Sequence, residues 1–253
     1  MSDRNSALVH CLISIADDHL ILGHRLSEWC GHAPILEEDL SMPNMALDLL
    51  GQARNFYFYA AELEGKGRSE DDLAYLRTDR EYLNCLLVER PNGDFGHTML
   101  RQFYFAAFMQ LYWRAACNSR DQTINGFAQK AVKEIAYHLR HCGEWVVRLG
   151  DGTQESASRM AKALEALHPY TEELFRATPQ AQICAEENIL PLPETLHGEW
   201  TETVKHVFDE ACLNMPEVAY FQHGGREGFH TEDFGHLLSE LQYMQRTYPG
   251  LTW

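Results

Sequence analysis

The stretch best equipped to do chemistry is Lys133-Glu134-Ile135-Ala136-Tyr137-His138, in the middle of a predicted helix. A four-helix protein that activates dioxygen at two metal ions carries Glu-x-x-His motifs, which set a carboxylate and an imidazole three residues apart on one helical face. Here the third residue after Glu134 is Tyr137, and His138 comes one place late. Such a site also takes a Glu from each of two further helices, because hard oxygen ligands offset the charge of adjacent cations while imidazoles complete the sphere. The other predicted helices supply little. The first offers Asp17 or Asp18 beside His19, and the second offers Asp48-x-x-Gly51, with glycine where the histidine belongs. The third has no Asp or Glu between Phe95 and Arg120. Asp18, Asp48, Gly51, Glu134, Tyr137 and His138 are therefore read as positions of a degenerate metal site, with no metal and no catalytic residue expected in this chain. A mononuclear site formed by a swing of His138 or His141 stays open. An acid left on a core-facing position must be paired or protonated, because an isolated buried charge is too costly. Arg54, Lys133 and Arg140 are the candidate partners, and Glu134 is expected in a buried ion pair.

The elements that must position these residues are helices. Apolar residues recur at three- and four-residue spacing, which predicts core helices over about 6–29, 37–64, 95–119 and 127–149. Shorter helices are predicted over about 70–89, 158–176, 194–212 and 231–248. Strand-like alternation is nearly absent, so the expected fold is all-α: four long antiparallel helices in a single domain, 1–253, with further helices packed around them. The second helix is apolar on most of its circumference, with a narrow polar line of Asn44, Asp48, Gln52 and Asn55 best read as an internal hydrogen-bond ladder. The third is crowded with aromatics from Phe103 to Trp113, which reads as core.

The charge balance, 21 Lys and Arg against 37 Asp and Glu, gives a net charge of -16. That field repels phosphate backbones and argues against nucleic-acid binding. No uninterrupted apolar run approaches the roughly 20 residues of a membrane span, and the N-terminus leads into an amphipathic helix, so a cytoplasmic protein is expected. Seven scattered cysteines without a C-x-x-C read as free thiols. Nucleotide and hydrolase motifs are absent. Gly224-Gly225-Arg226 is either an anion cradle or a glycine turn, the second being the simpler reading.

Arg25 to Pro34 (R-L-S-E-W-C-G-H-A-P), Leu47 to Asn55 (L-D-L-L-G-Q-A-R-N), Lys133-Glu134 with Tyr137 to Arg140, and Gly224-Gly225-Arg226 to Trp253 together resemble the PaaC family. That family comprises the non-catalytic structural subunits of bacterial phenylacetyl-CoA 1,2-epoxidase, a multicomponent monooxygenase of aerobic phenylacetate catabolism. The resemblance spans nearly the whole chain in order. It implies a ferritin-like bundle and a partner catalytic subunit, similar to PaaA, that holds the di-iron cofactor. It further implies an NADPH-dependent reductase, small accessory subunits, and a CoA thioester bound near the shared surface. Residues that could touch that ester are Arg77, Arg80 and Asn84, predicted on one face of the short charged helix, and Glu37, Glu38, Asp39 and Leu40 at the amide-rich start of the second long helix. An autonomous metal-binding oxidase and a pure interaction module remain as alternatives.

Overall fold

The computed structural model describes residues 3–251; Trp253, the last residue of the resemblance, and the N-terminal Met1-Ser2 lie outside them. In chain order the α-helices are α1 (Asp3–Ser27), α2 (Leu36–Glu64), α3 (Glu70–Tyr75), α4 (Leu86–Glu89), α5 (Phe95–Ala116), α6 (Gln122–Gly150), α7 (Gln154–Leu167), α8 (Pro179–Glu186), α9 (His197–Glu210), α10 (Glu232–Leu241) and α11 (Tyr243–Thr247). Short 3-10 turns join several of them, and there is no strand among the described residues. The fold is all-α and ferritin-like in class, with two pairs of long helices, and it forms two compact units. One unit runs through Pro91 and takes up the chain again from His223; the other is Asn92–Gln222.

In the first unit α1 and α2 pack antiparallel. Asp17 meets Tyr57, while Gly23 lies against Ala46 and Leu50, where a Cβ would sit 3.2 Å from the Ala46 carbonyl oxygen. The short loop 28–35 permits no other orientation of such neighbours. α2 ends at Gly65, whose φ of 65° is the left-handed conformation that lets its N–H reach Ala61 O. α1 is more apolar than its sequence suggests at first reading. An 18-residue window has mean hydropathy 1.3, enough by length and composition to cross a membrane, and 72% of that window is buried inside the protein.

The charged segment 70–89 does not form the one helix expected of it. Ser69 and Asp72 close a capping box that starts α3, Thr78 and Glu81 close a second, and the chain then runs extended to α4. Two such helix starts nine residues apart leave room for single turns only. Moreover, the N–H groups of Leu83 and Cys85 donate to carboxylates on α1, so they are unavailable to a helical ladder.

In the second unit α5 and α6 are antiparallel, with Gln102 against His138 and Phe95 against Trp145. α6 begins five residues before its expected start, because the Asp121 side chain accepts from the N–H groups of Thr123 and Ile124 at 3.0 and 3.1 Å. α5 is buried nearly all round, as an apolar helix must be. Its Tyr104 carbonyl accepts from Trp200 Nε1 at 3.1 Å, and the Tyr104 hydroxyl meets His168 Nδ1 at 3.0 Å. Burial lowers the His168 pKa, so the neutral ring can accept from that hydroxyl. Phe208 of α9 closes this cluster against the rings of Phe103 and Tyr104. Phe208→Ala is expected to lower stability by about 3–5 kcal/mol, read as a fall in the urea midpoint; an unchanged midpoint would show that α9 is not part of this core.

Candidate functional site

The densest set of buried polar groups lies in the first unit, around two adjacent acids of α1. Asp17 and Asp18 are 0% and 2% exposed. Asp17 is gripped by both terminal nitrogens of Arg77, with Nη1 to Oδ2 at 3.0 Å and Nη2 to Oδ1. It also accepts from the Tyr57 hydroxyl and from Leu83 N at 2.7 Å. A bidentate guanidinium with two further donors fills the carboxylate's lone-pair positions. Burial alone would lower the Arg77 pKa; the charge of Asp17 outweighs it and raises the value. Burial, then Asp17, hold the Tyr57 phenol well above its ordinary value, so it stays a donor.

Asp18 accepts from Cys85 N and from Arg226 Nη2, both at 2.7 Å. Arg226 Nη1 donates to Ser14 Oγ at 2.7 Å and to Leu83 O at 3.0 Å. Burial pushes the Asp18 carboxyl up, against the pull of Arg226 and the Cys85 amide.

A third buried acid, Glu89, is 0% exposed. It accepts from Asn84 Nδ2 at 2.9 Å, His230 Nδ1 at 2.7 Å and Thr231 N at 2.7 Å. The other His230 nitrogen faces Tyr82 O at 3.0 Å. Both ring nitrogens therefore face acceptors, an environment that the imidazolium satisfies and the neutral ring does not. Burial lowers the His230 pKa, but its hydrogen bond to Glu89 and that group's charge outweigh burial and raise it.

These bonds fasten the C-terminal arm to its unit, and they explain the glycines before it. A Cβ on Gly225 would sit 2.1 Å from Asn84 O, and one on Gly228, at φ 77°, 2.5 Å from Arg80 O. Gly224-Gly225-Arg226 is thus a close backbone crossing that delivers Arg226 to Asp18. Gln242 Nε2 completes the fastening with a 2.8 Å bond to Arg77 O.

The structure revises several expected roles. Arg77, Arg80 and Asn84 share no helical face. Arg77 and Asn84 are buried and bound to Asp17 and Glu89. Arg80 is exposed, donates to Gly228 O at 3.1 Å and lies 4.8 Å over the Phe229 ring, with no carboxylate partner among the described residues. At the start of α2, Glu37 and Leu40 are exposed, while Glu38 is buried and accepts from Ser41 Oγ at 2.9 Å. Asp39 accepts from Gly31 N at 2.7 Å, tying down the preceding loop.

The degenerate metal positions also fall differently from their helical template. Gly51 is exposed with nothing within 4 Å of an added Cβ, and Asp48 is half-buried. On α6 the core face is Ile135, His138, Cys142 and Val146. Glu134 and Tyr137 are turned off it: Tyr137 is 38% exposed and stacks on His141. Glu134 is half-buried and pairs with Lys130 at 3.3 Å, a residue one turn away at the surface and outside the expected set of partners. His138 Nδ1 accepts from Gln102 Nε2 at 3.3 Å.

A di-iron centre does not fit this donor set. A guanidinium stands 2.7 Å from Asp18 where a cation would have to sit, and Asp17 has no lone-pair position left. Among the described residues no group of three or more His, Cys, Asp or Glu is placed to hold a metal ion.

The chain is thus all-helical and ferritin-like in class, with its buried acids closed by arginines and a histidine. The sequence comparisons are specific. The chain belongs to the phenylacetic acid catabolic protein family, whose model matches residues 1–253. It is 45% identical over 241 residues to the C component of the 1,2-phenylacetyl-CoA epoxidase of Escherichia coli (strain K12), covering 95% of this chain and 97% of that protein.

Two outcomes test the network. Arg226→Met leaves Asp18 buried without its counter-charge and is expected to cost about 3–5 kcal/mol. Adding Asp18→Asn, which keeps an acceptor for Cys85 N, should recover much of that loss in the urea midpoint. For His230 the sign follows from its raised folded-state pKa. Its contribution is complete below the unfolded value of 6.5 and is lost as pH rises through the higher folded value. The stability gap between the native protein and His230→Gln, followed from pH 6 to 9 (about the window in which a histidine titrates), should therefore narrow with rising pH.

Proposed function

We propose that this chain is a non-catalytic scaffold subunit of a multicomponent monooxygenase that epoxidises the ring of phenylacetyl-CoA in aerobic phenylacetate catabolism. The observation carrying this is the 45% identity to the Escherichia coli epoxidase component across 97% of its length. The way the buried acids are bonded supports the non-catalytic part. Inserting one oxygen atom of dioxygen into a ring, and reducing the other to water, takes two electrons, two protons and a redox centre. Side chains such as Asp17, Asp18 and Glu89, each fixed by Arg or His, supply neither the electrons nor the redox centre.

On this proposal the chemistry belongs to a PaaA-like catalytic subunit with a di-iron site, fed by an NADPH-dependent reductase and assisted by small accessory subunits in the cytoplasm. This chain holds the catalytic subunit in its active conformation and adds contacts to the CoA thioester. Arg80 is the cation for that contact, because it is exposed and pairs with no carboxylate among the described residues. Glu37 and Leu40 offer at most adenine or pantetheine contacts, since the acidic first turn of α2 repels phosphate.

The test is co-expression with the catalytic subunit. The pair should co-purify, carry its iron in the partner, and consume NADPH and oxygen with phenylacetyl-CoA once the reductase is added, while this chain alone neither holds iron nor consumes oxygen. Close to two irons per copy of the isolated chain, with oxidase activity, would falsify the assignment. Arg80→Glu is expected to weaken CoA-ester binding by the pair about tenfold, the effect of one charge-assisted hydrogen bond; unchanged affinity removes Arg80 from the ester site.

A further inference from the structure

Among the described residues, four strongly exposed apolar side chains share one helix. Leu36, Leu40, Leu47 and Phe58 of α2 are 70%, 59%, 66% and 51% exposed. At about 100° per residue they fall within an arc of about 60°, together with Gly51. Gly51 has open space where a Cβ would be. The inner face of the same helix, including Leu49, Ala53, Phe56 and Ala60, is buried, so the stripe is a second apolar face that the fold does not use. Glycine in the middle of an exposed helical face costs stability and gives nothing back within this chain. It does allow a second helix to approach closely.

Charge decides what covers the stripe. Glu37, Asp48 and Glu62 lie along one edge, at about 80–120° on the same projection; the acids of the other edge, Asp39 and Glu64, are taken up by Gly31 N and by Lys66 and Arg68. The one base of α2 is Arg54, an exposed side chain that falls within the same arc and is held by Glu70 at 3.3 Å. A second copy of this chain would set that acidic edge against its own kind, in a molecule with a net charge of -16. Size narrows the choice further. From Leu36 to Phe58 the stripe is about 33 Å long, and one helix laid along it covers on the order of 300–400 Å², less than the roughly 800 Å² per partner of a stable interface. The occupant must therefore extend beyond a single helix.

We infer that the outer face of α2 docks a helical face of a different folded polypeptide, apolar along its centre and carrying Lys or Arg along one edge, packed closest at Gly51. This rests on the reading of the chain as a subunit, and it names the surface by which the catalytic partner is held.

Three proteins are compared by co-purification and by titration against the catalytic subunit: the native chain, Leu47→Glu and Gly51→Leu, with each one's thermal midpoint measured alone. Leu47→Glu should weaken pairing at least 100-fold without lowering the midpoint. Gly51→Leu should weaken pairing while raising the midpoint by about 2 °C, because it removes a helix-interior glycine. Opposite signs on stability and pairing cannot come from misfolding. Native affinity in both variants overturns this surface and leaves the subunit assignment standing. Failure of the native chain to pair overturns the assignment itself. A native homodimer that Leu47→Glu disperses makes the occupant a second copy and overturns the heterologous partner.

Discussion

Asp17 and Asp18 stand side by side on a buried helix, and the rest of their unit is arranged to keep both of them there. Neighbours on a helix point about 100° apart, so no single counter-ion serves both. Asp17 faces α2 and the 77–83 segment, where Arg77, Tyr57 and Leu83 N meet it; Asp18 faces the segment at Cys85 and the C-terminal arm, where Arg226 meets it. Each acid thus organises a different piece of irregular chain. The segment 77–89 stays out of helical form because its amides point at carboxylates, and the arm crosses at Gly225 because only glycine fits beside Asn84 O. A hydrophobic core of similar volume would hold the unit at least as tightly. What the charged version adds is directionality, since a bidentate guanidinium accepts one geometry.

The same bonds occupy the acids. Oxygen ligands bind hard cations through free lone pairs; those of Asp17 are filled by nitrogen and hydroxyl donors, and each oxygen of Asp18 carries a nitrogen donor. In this respect the protein resembles a metal carboxylate bundle with an arginine in place of the ion: charge is balanced within the unit by a group that can neither exchange electrons nor open a coordination position. Glu89 repeats the solution with His230, a cation tied to the protonation state of one ring.

Much of this was legible in the sequence, and the limits are physical. The long helices follow from apolar periodicity, which survives any detail of packing. That buried acids need basic partners was also readable, but the partners were not: Arg226 lies 208 residues from Asp18 and Arg77 lies 60 from Asp17, separations that carry no local pattern. On α6 the stripe through Ile135, Cys142 and Val146 already marks position 138 as core and positions 134 and 137 as off it. The metal template instead pairs positions 134 and 137, and Glu134 meets a surface lysine one turn back. Arg77 and Asn84 read as exposed because their neighbours are charged; two capping boxes and the α1 acids, invisible to helical spacing, bring them inside. Gly224-Gly225-Arg226 reads as a glycine turn, and only the backbone crossing shows why a side chain is barred at Gly225.

The buried network and the outer stripe of α2 are linked through adjacent residues. Tyr57 donates its hydroxyl to Asp17 from the inner face of α2, and Phe58, one position on, projects from the outer face at 51% exposure. Fixing the first fixes the helix that carries the second. Arg77 binds both Asp17 and Tyr57, so the rotation of α2 about its axis is set from inside by directional bonds, not by apolar contact alone, which tolerates sliding. A docking face held this way is ordered before its partner arrives and loses little conformational entropy on association. On the proposed function, the buried acids serve the assembly through the rigidity they impose on α2.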